Sequence, residues 1–424
     1  MPSQQPRLLV LIGSYLPGYK GGGPTRSIDN LVATLGDEFN FKIVTLDRDL
    51  GEKTPYPGVA ANKWVRVGKA DVLYVAPSIS GLLSMLRVLL SADKYSVVYL
   101  NSFFARRFSI LAVLTRYFKL CRPRCLVLAP RGEFSPGAIQ IKRLRKHLYI
   151  KLAGWMGLYE NLIWHASSDF EGADIRRTMS NATVVDIAGV MPSYSAGYGL
   201  KGRSEVATAM DIARYTQRER RSSGSKQSGA LRVVFISRLS RKKNLAGALK
   251  MLRGLVGDVS FDIYGPKEDA KYWDECQILI SLLPKNIQVR YMGVIEHEKI
   301  ESLFEEYELF LFPTLGENYG HVICEALVSG CPVLISDQTP WRNLESLGVG
   351  WDIPLDEPES FRTILQQCVD GDDEWQTELS VRAMDYGCKH VSDPRIIEAN
   401  RHLFERAFAW RESYGSEEVS RKHL

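Results

Sequence analysis

The sequence lacks the features expected of a membrane-spanning, secreted or disulfide-bonded protein. No stretch of about 18 residues is both uncharged and apolar, so no membrane-spanning helix is expected. The first residues show no signal-peptide layout, and we expect a cytoplasmic protein. The seven cysteines are scattered and odd in number, which excludes a disulfide scaffold. Free thiols in a reducing compartment fit this pattern best.

Acidic residues are scarce in the first half of the chain. Residues 1–200 contain 25 Lys and Arg against 14 Asp and Glu, a net charge of +11, whereas the remainder carries −6. Within 101–150 there are 11 basic residues and a single acidic one, Glu133. Such a basic half suggests an anionic partner, either a membrane surface, a nucleic acid or a phosphorylated ligand. No recognisable RNA-binding module accompanies the charge, so nucleic acid is not expected.

The length and the rhythm of the chain predict two α/β domains. A chain of 424 residues exceeds the roughly 250–300 residues at which a single core stops growing. Short β-branched runs alternate with longer amphipathic stretches, which is typical of βαβ units around a parallel sheet. Strands are predicted at 8–12, 41–46, 72–75, 96–100, 126–129, 162–166, 183–187, 231–236, 261–264, 289–292, 309–312, 333–336 and 350–353.

A polar run divides the two sets of strands. Residues 217–229 contain no apolar side chain and read as a linker or an insertion. We therefore expect a first domain at 1–196, a linker at 197–230 and a second domain at 231–392. The last segment, 393–424, is expected to be a helix that returns toward the first domain. In open α/β sheets, ligands bind outside the carboxyl ends of the strands, where motifs should be sought.

Two loops after predicted strands could hold phosphate groups. Gly22 and Gly23 follow the first strand and lead into a helix, so that backbone amides could approach a phosphate closely. A flexible turn is the alternative. Arg238 and Lys243 follow the first strand of the second domain and could hold two cations over a diphosphate. Here the alternative is a solvated basic turn.

The most specific motif lies at 313–332. Glu317 follows a strand, and Glu325 falls within a helix among apolar neighbours. A carboxylate in such a place is costly unless it receives hydrogen bonds, which sugar and ribose hydroxyls can donate. A salt bridge within the domain is the alternative for Glu325. The amides at the start of this helix could hold a phosphate, and they belong to Tyr319, Gly320 and His321.

These residues resemble those of a known enzyme family. Seven residues separate Glu317 from Glu325, and Ser-Gly-Cys-Pro-Val follows at 329–333. This pattern is similar to the signature of retaining GT-B glycosyltransferases of family 4, also called glycosyl transferases group 1. Arg238 and Lys243, five apart, resemble the diphosphate-binding pair of that family. The resemblance implies an α/β GT-B fold, with two doubly wound Rossmann-like domains that face each other across a cleft. The first would bind the acceptor and the second a nucleotide sugar.

The resemblance also implies a role for each site residue. Glu317 would contact donor-sugar hydroxyls near the reacting carbon, with Arg238 and Lys243 stabilising the leaving diphosphate. Glu325 would hold the ribose. Further donor-binding residues would be Gly22, Gly23, Arg131, Gly293, Val294, Asn318, Tyr319, Gly320 and His321. No metal or cofactor is expected, because protein cations and helix dipoles neutralise the leaving group. Retention would come through front-face attack or a short-lived ion pair.

The chain departs from the family pattern at Arg131. Many relatives have a histidine near this position, whereas here the segment 128–134 reads Leu-Ala-Pro-Arg-Gly-Glu-Phe. Arginine cannot act as a general base near neutral pH. We hypothesise that Arg131 contacts the donor sugar or the leaving phosphate, and a plain surface arginine is the alternative. Asp47 and Asp49 match the Asp-x-Asp of metal-dependent glycosyltransferases, but the two-domain rhythm disfavours that class.

One basic helix suggests a membrane contact. The segment 142–156 mixes cations with leucine, tyrosine and tryptophan, which suits an anionic lipid surface. The candidates are Lys142, Arg143, Arg145 and Lys146, with a solvated helix as the alternative. The segments Pro-Arg-Gly at 130–132 and Thr-Pro-Trp at 339–341 are similar to a bacterial polysaccharide branch of the family. This resemblance then favours an enzyme at the inner face of the cell membrane.

Such an enzyme would transfer sugar to a lipid-linked saccharide for capsule, exopolysaccharide or O-antigen. A soluble-acceptor enzyme and a catalytically silent sugar-nucleotide-binding or membrane scaffold are the alternatives. Intact Glu317, Glu325, Arg238 and Lys243 argue against a silent protein.

Overall fold

The structure is a computed structural model that describes residues 5–121, 123, 125–140, 143–191 and 226–420, with side chains described up to residue 410. It forms two compact units. The first comprises Met1–Tyr194 together with Asp393–Leu424, and the second comprises Ser195–Ser392. The predicted linker lies outside the described residues as far as 225.

The first unit is built on an eight-stranded sheet. Its strands are β1 (Arg7–Leu11), β2 (Asn40–Leu46), β3 (Trp64–Val67), β4 (Ala70–Val75), β5 (Val97–Asn101), β6 (Leu126–Ala129), β7 (Ile163–Ala166) and β8 (Val185–Ile187). The order across the sheet is β3-β4-β2-β1-β5-β6-β7-β8. All neighbours are parallel except β3 and β4, which form an antiparallel pair at the edge. The order reverses between β1 and β5, and this switch point is where ligands bind in such sheets.

Helices cover both faces of this sheet. They are α1 (Gly23–Leu35), α2 (Ile79–Leu90), α3 (Leu111–Tyr117), α4 (Pro136–Gln140), α5 (Arg143–Trp155), α6 (Asp169–Thr178) and the C-terminal helix (Pro394–Ser420). Buried residues of α2, α3, α5 and α6 pack into one core on one face. Residues of α1 and the C-terminal helix pack into the core on the other face. Among the described residues, none of the helices combines the length and apolarity that a bilayer crossing requires.

The second unit has a fully parallel six-stranded sheet. Its strands are β9 (Ala230–Ile236), β10 (Asp258–Tyr264), β11 (Ile287–Gly293), β12 (Leu309–Phe312), β13 (Val333–Ser336) and β14 (Gly350–Ile353), in the order β11-β10-β9-β12-β13-β14. Its helices are α7 (Leu245–Leu252), α8 (Ala270–Ser281), α9 (Ile300–Phe304), α10 (His321–Val328), α11 (Leu344–Leu347), α12 (Pro358–Asp370) and α13 (Asp373–Val391). The order reverses between β9 and β12. The prediction of two doubly wound α/β domains is therefore confirmed for both sheets.

The linker prediction is wrong for its last residues, 226–230. Lys226 is buried, and its ammonium donates to the carbonyls of Val369 (3.2 Å) and Gly371 (2.8 Å). These carbonyls lie at the end of α12, where the helix itself supplies no partner for them. Strand β9 then begins at Ala230. The polar composition of the segment gave no sign of this contact, because the sequence does not distinguish a lysine that caps a helix end from a lysine exposed to solvent.

Candidate functional site

The predicted residues of the second unit lie at one edge of its sheet. Arg238 follows β9, Gly293 ends β11 and Glu317 follows β12. Because all six strands are parallel, their carboxyl ends meet at the same edge. Strands β9 and β12 are direct neighbours, and the strand order reverses between them. The loops that carry Arg238, Lys243 and Glu317 therefore flank the switch point of this sheet.

Lys243 and Glu317 form an ion pair across that switch point. The ammonium of Lys243 contacts Oε1 of Glu317, and only 14% and 15% of the two side chains are exposed. The backbone holds both loops in place, since the Leu315 amide donates to the Lys242 carbonyl (2.8 Å) and the Glu317 amide to that of Gln338 (2.9 Å). A mostly desolvated cation and carboxylate thus stand together, each able to exchange its partner for a phosphate oxygen or a sugar hydroxyl.

Arg238 lies on the same loop system but has a different partner. Its Nη1 donates to Oε1 of Glu268 at 3.1 Å, and about two fifths of its side chain is exposed. Exposed ion pairs of this kind contribute at most about 1 kcal/mol, so a more highly charged ligand can displace Glu268. The structure brings Lys243 and Glu317 into direct contact, whereas Arg238 is held at the neighbouring strand end by Glu268.

A glycine allows the ends of β9 and β10 to approach each other. Gly265 follows β10 with φ of +129°, and a Cβ at this position would lie 1.9 Å from the carbonyl oxygen of Ser237. The Gly265 amide also donates to the carbonyl of Gly293 at the end of β11 (2.7 Å). The next residue, Val294, exposes 59% of its surface. The predicted base-binding residues Gly293 and Val294 are therefore joined through Gly265 to the loop of Arg238.

The start of α10 is fixed by aromatic packing. Gly320 precedes the helix in the left-handed region, with φ of +79°. Tyr319 is buried, its carbonyl accepts from Nε1 of Trp341 (2.6 Å), and its hydroxyl lies 3.2 Å from Nε2 of His390. The ring of His321 packs against Tyr319. Asn318 precedes these residues on the same turn.

Glu325 is buried in α10 beside the loop that follows β11. Its Oε1 lies 4.0 Å from Nδ1 of His297, which is the limit for an ion pair. Glu301 is close enough that burial, and then the charge of Glu325, raise the pKa of Glu301. The predicted alternative of a salt bridge within the domain is thus present as a long contact. His297 is a neighbour of the site that the sequence reasoning missed.

Together these contacts connect the loops after β9, β10, β11 and β12, three of which carry the predicted residues of the second unit. Lys243 and Glu317 join β9 to β12, and Gly265 joins β10 to both β9 and β11. His297 and Glu325 join the β11 loop to α10. The arrangement combines cations, carboxylates and an exposed apolar residue at one sheet edge. Chemically, it can accept a ligand with a base, hydroxyls and phosphates.

In the first unit, the glycine loop is held by Asp49. Gly22 precedes α1 with φ of +66°. The carboxylate of Asp49 accepts from the backbone amides of Tyr19 (2.9 Å) and Lys20 (3.1 Å), and Asp47 pairs with the adjacent Arg48. Both carboxylates of the Asp-x-Asp sequence are therefore engaged by protein donors, which gives this motif a structural role.

Arg131 is held in a polar network at the ends of β5 and β6. Its guanidinium donates to Oδ1 of Asn101 (2.8 Å) and to the hydroxyl of Tyr99 (2.8 Å). That hydroxyl lies 2.6 Å from Nδ1 of His165, whose Nε2 lies 2.9 Å from the carbonyl of Ala188. Since the carbonyl can only accept, Nε2 carries the proton and Tyr99 donates to Nδ1. Burial lowers the pKa of His165 to about 3 and raises that of Tyr99 to about 12, so both stay neutral.

The backbone around Arg131 is fixed as firmly as its side chain. Arg131 itself has φ of +57°, which is uncommon for a residue with a side chain. Glu133 accepts from the amides of Phe103 (2.6 Å) and Phe104 (3.0 Å), and Glu171 accepts from that of Gly132 (2.7 Å). A disfavoured backbone conformation held by such contacts is consistent with the hypothesis that Arg131 is a functional residue. Glu133 and Glu171 escaped the sequence reasoning because their partners are remote amides.

The four predicted membrane-contact residues differ in what the structure shows of their surroundings. Arg143 and Arg145 are exposed on α5. Lys142 lies outside the described residues. The prediction for Lys146 is wrong, because its ammonium turns inward to the carbonyl of Ala138 (2.8 Å) and lies 4.8 Å from the ring centre of Phe104.

Comparison with known proteins finds a family similarity within the second unit. Residues 216–377 match the family model described as Glycosyl transferases group 1. This segment is therefore similar to glycosyl transferases of group 1. It contains Arg238, Lys243, Glu317 and Glu325. The chain is also 27% identical over 141 residues to the GtfA subunit of the UDP-N-acetylglucosamine–peptide N-acetylglucosaminyltransferase from Streptococcus agalactiae. That match covers 32% of this chain and only 26% of the relative.

Solved structures with the same architecture cover almost the whole chain. One is HepE of Anabaena in complex with UDP and glucose, with a TM-score of 0.64, 17% identity and coverage of 95% of this chain and 99% of HepE. Another is sucrose-phosphate synthase from Thermosynechococcus elongatus, with a TM-score of 0.68, 15% identity and coverage of 96% and 100%. The prediction of an α/β GT-B fold with two Rossmann-like units is confirmed.

Proposed function

We propose that the protein is a retaining glycosyltransferase that transfers a sugar from a nucleotide-sugar donor to a hydroxyl of an acceptor. The observation that carries this proposal is the Lys243–Glu317 pair at the switch point of the second unit. The pair supports the proposal because a cation suits a diphosphate and a carboxylate suits the hydroxyls of a sugar. The loop contacts through Gly265 and His297 would bring the base and ribose positions to the same edge.

Each charged residue then has a chemical task in the transfer. The bond between the anomeric carbon and the phosphate oxygen breaks, and a bond between that carbon and the acceptor oxygen forms on the same face. The acceptor proton leaves with the departing diphosphate. Lys243 and Arg238 would stabilise the charge that develops on this leaving group, which is where electrostatic catalysis is most effective. Glu317 would hold sugar hydroxyls beside the reacting carbon. Because protein cations perform this task, we propose that the reaction needs no metal and no cofactor.

We further propose that the acceptor is a lipid-linked saccharide in a bacterial surface polysaccharide pathway. The exposed cations Arg143 and Arg145 on α5 support a location at an anionic membrane surface. The names of the similar proteins mention a peptide acceptor in one case and sucrose phosphate in another, so similarity to group 1 is compatible with several acceptors. A soluble acceptor is accordingly the competing assignment.

A panel of nucleotide sugars tests the central proposal. Binding of the correct donor should raise the melting temperature by mass action, and the same donor should support transfer or slow hydrolysis.

Lys243→Met should lower kcat by about 100- to 1,000-fold, as expected when one donor to a developing charge is lost. Lys250→Met is the matched control, because Lys250 is exposed on α7 and should be silent. Equal turnover by Lys243→Met and the parent protein would refute the proposed role.

A further inference from the structure

The helices α2, α3 and α5 form one layer on the same face of the first sheet. Met85 of α2, Val113 of α3 and Ala153 of α5 are buried in a common core beneath this layer. Two contacts tie the helices together. Arg107 donates to the carbonyl of Ala76, just before α2 (3.1 Å), and Arg116 of α3 donates to that of Glu160, soon after α5 (2.7 Å). The outer sides of the three helices therefore belong to one surface.

The outer side of α5 exposes a stripe of large apolar residues. Leu144, Leu148, Leu152 and Trp155 are 87%, 71%, 48% and 85% exposed. Their spacing of four, four and three residues places them along one side of the helix. An amphipathic helix of a globular protein normally turns such a stripe to the core, yet here the core receives Ala153 and the half-buried Tyr149 and Ile150. The adjoining helices expose further apolar residues, including Ile79 of α2 (78%) and Phe118 after α3 (62%).

The charges around the stripe have a single sign. The ranges 79–90, 106–121 and 136–155 contain no Asp or Glu at all. Arg143, Arg145 and Lys151 are exposed beside the stripe on α5. By contrast α6, the next helix of the same layer, carries Asp169 and Asp174. Leucines with a terminal tryptophan, flanked by cations alone, match the interface of a membrane with anionic lipids. Cations alone would equally suit an acidic protein surface, and it is their combination with exposed leucines and a terminal tryptophan that favours the lipid interface.

We propose that α5 lies in the plane of an anionic membrane and inserts Leu144, Leu148, Leu152 and Trp155 into the boundary between headgroups and acyl chains. Helices α2 and α3 flank it on the same surface. Insertion of apolar side chains differs from attraction by charge, because salt screens charges and leaves apolar burial intact. The proposal that α5 docks on a membrane depends only on the exposed residues of this surface. Only its purpose, access to a lipid-linked acceptor, rests on the proposed function.

Vesicle sedimentation with the full-length chain tests the proposal. Vesicles of phosphatidylcholine with phosphatidylglycerol should bind the protein, and part of the binding should persist in about 1 M NaCl, where the Debye length is only about 3 Å. The variant Leu144→Ser/Leu148→Ser/Leu152→Ser should lose at least tenfold in vesicle affinity at both salt concentrations. Arg143→Gln/Arg145→Gln should lose affinity mainly at low salt. Since all five residues are exposed, each variant should keep the melting temperature of the parent.

A matched control lies in the second unit. Ile278 and Leu282 of the α8 region are 63% and 61% exposed, so Ile278→Ser/Leu282→Ser removes similar apolar area elsewhere. This control should bind vesicles like the parent. Equal vesicle binding by the triple serine variant would overturn the insertion, and so would a parent protein that ignores vesicles but self-associates through the stripe. Thermal shift with nucleotide sugars separates the two proposals, because the docking variants should bind donor normally. If no donor binds but vesicle insertion persists, only the proposed function fails.

Discussion

At the scale of single residues, Glu325 shows how burial and ligand chemistry are linked. The Glu325 side chain is buried, and so are its apolar neighbours in α10. Its Oε1 lies 4.0 Å from Nδ1 of His297. A sugar hydroxyl that donates to a buried carboxylate offsets part of the cost of removing that carboxylate from water. This is the physical reason for our proposal that Glu325 binds the ribose of the donor.

Replacement of Glu325 tests that assignment. Glu325→Ala should weaken nucleotide binding by about 1–3 kcal/mol, the usual cost of removing a charged hydrogen-bond partner. Isothermal titration with the nucleoside diphosphate of the preferred donor measures this directly. Glu345→Ala, at an exposed position of α11, is the control and should bind normally. Unchanged affinity in a folded Glu325→Ala protein would remove Glu325 from the binding site.

His165 makes the first unit sensitive to acid. Its pKa falls from 6.5 to about 3 in the folded protein, mainly because of burial and also because of the nearby charge of Arg131. Between these values the unfolded chain binds a proton that the folded chain does not. The free energy of unfolding should therefore decrease as the pH falls below 6.5, by at most about 1.4 kcal/mol per pH unit.

Urea unfolding at a series of pH values measures this slope. His165→Gln can still accept from Tyr99 and donate to Ala188 but does not titrate, so its stability should depend less on pH. His402→Gln is the control, since His402 is exposed on the C-terminal helix and should leave the slope as it is. A slope that is identical in all three proteins would contradict the neutral, buried state of His165.

At the scale of elements, the sequence predicted strands well where both faces are buried. Strands β6, β12, β13 and β14 begin and end at the predicted residues. Strand β3 was missed, because it pairs only at the sheet edge and its side chains are exposed or half-buried. The helical segment that contains α3 begins with a π-helical turn, Arg106–Ile110, which the sequence pattern did not indicate. The sequence pattern of a segment indicates which of its side chains are buried. The edge strand β3 and the π-helical turn depend instead on the other segments that pack against them.

The candidate site likewise contains residues whose positions could be predicted from the sequence and residues whose partners could not. The strand ends and the motif spacing predicted the positions of Lys243 and Glu317, because parallel strands bring their ends together. The partners of Arg131 were not predictable, since Tyr99 and His165 are 32 and 34 residues away from it and belong to other strands. Only the register of β5, β6 and β7 places these three side chains in one network.

The turn after β10 offers a test at this scale. Gly265→Ala would press a methyl group against the Ser237 carbonyl in a disfavoured backbone conformation, at a cost of about 3 kcal/mol or more. Gly293→Ala is the matched comparison: φ is +87° and no described atom lies within 4 Å of the added Cβ, so the cost should be about 1 kcal/mol. Urea unfolding of the second unit compares them. Equal losses would show that the β10 loop can move away from β9.

At the scale of the whole molecule, the chain passes from the first unit to the second and returns. The C-terminal helix is separated in sequence from the strands that it covers by the entire second unit. Phe404 is fully buried there, with its ring 5.8 Å from that of Phe39 and 5.6 Å from that of Tyr99. Arg401 adds an ion pair with Glu38 at 2.7 Å. The stability of the first unit therefore depends on residues that follow the second unit in the chain.

Phe404→Ala should destabilise the first unit selectively. Truncation of a fully buried phenylalanine costs about 3–5 kcal/mol, whereas Phe118→Ala, at an exposed position, should cost about 0.5 kcal/mol or less. Hydrogen exchange followed by mass spectrometry resolves the two units. In Phe404→Ala, the amides of β1, β2 and β5 should lose protection while those of β9, β10 and β12 keep it. Equal loss in both sheets would mean that the two units unfold together, and the C-terminal helix would then stabilise the entire molecule.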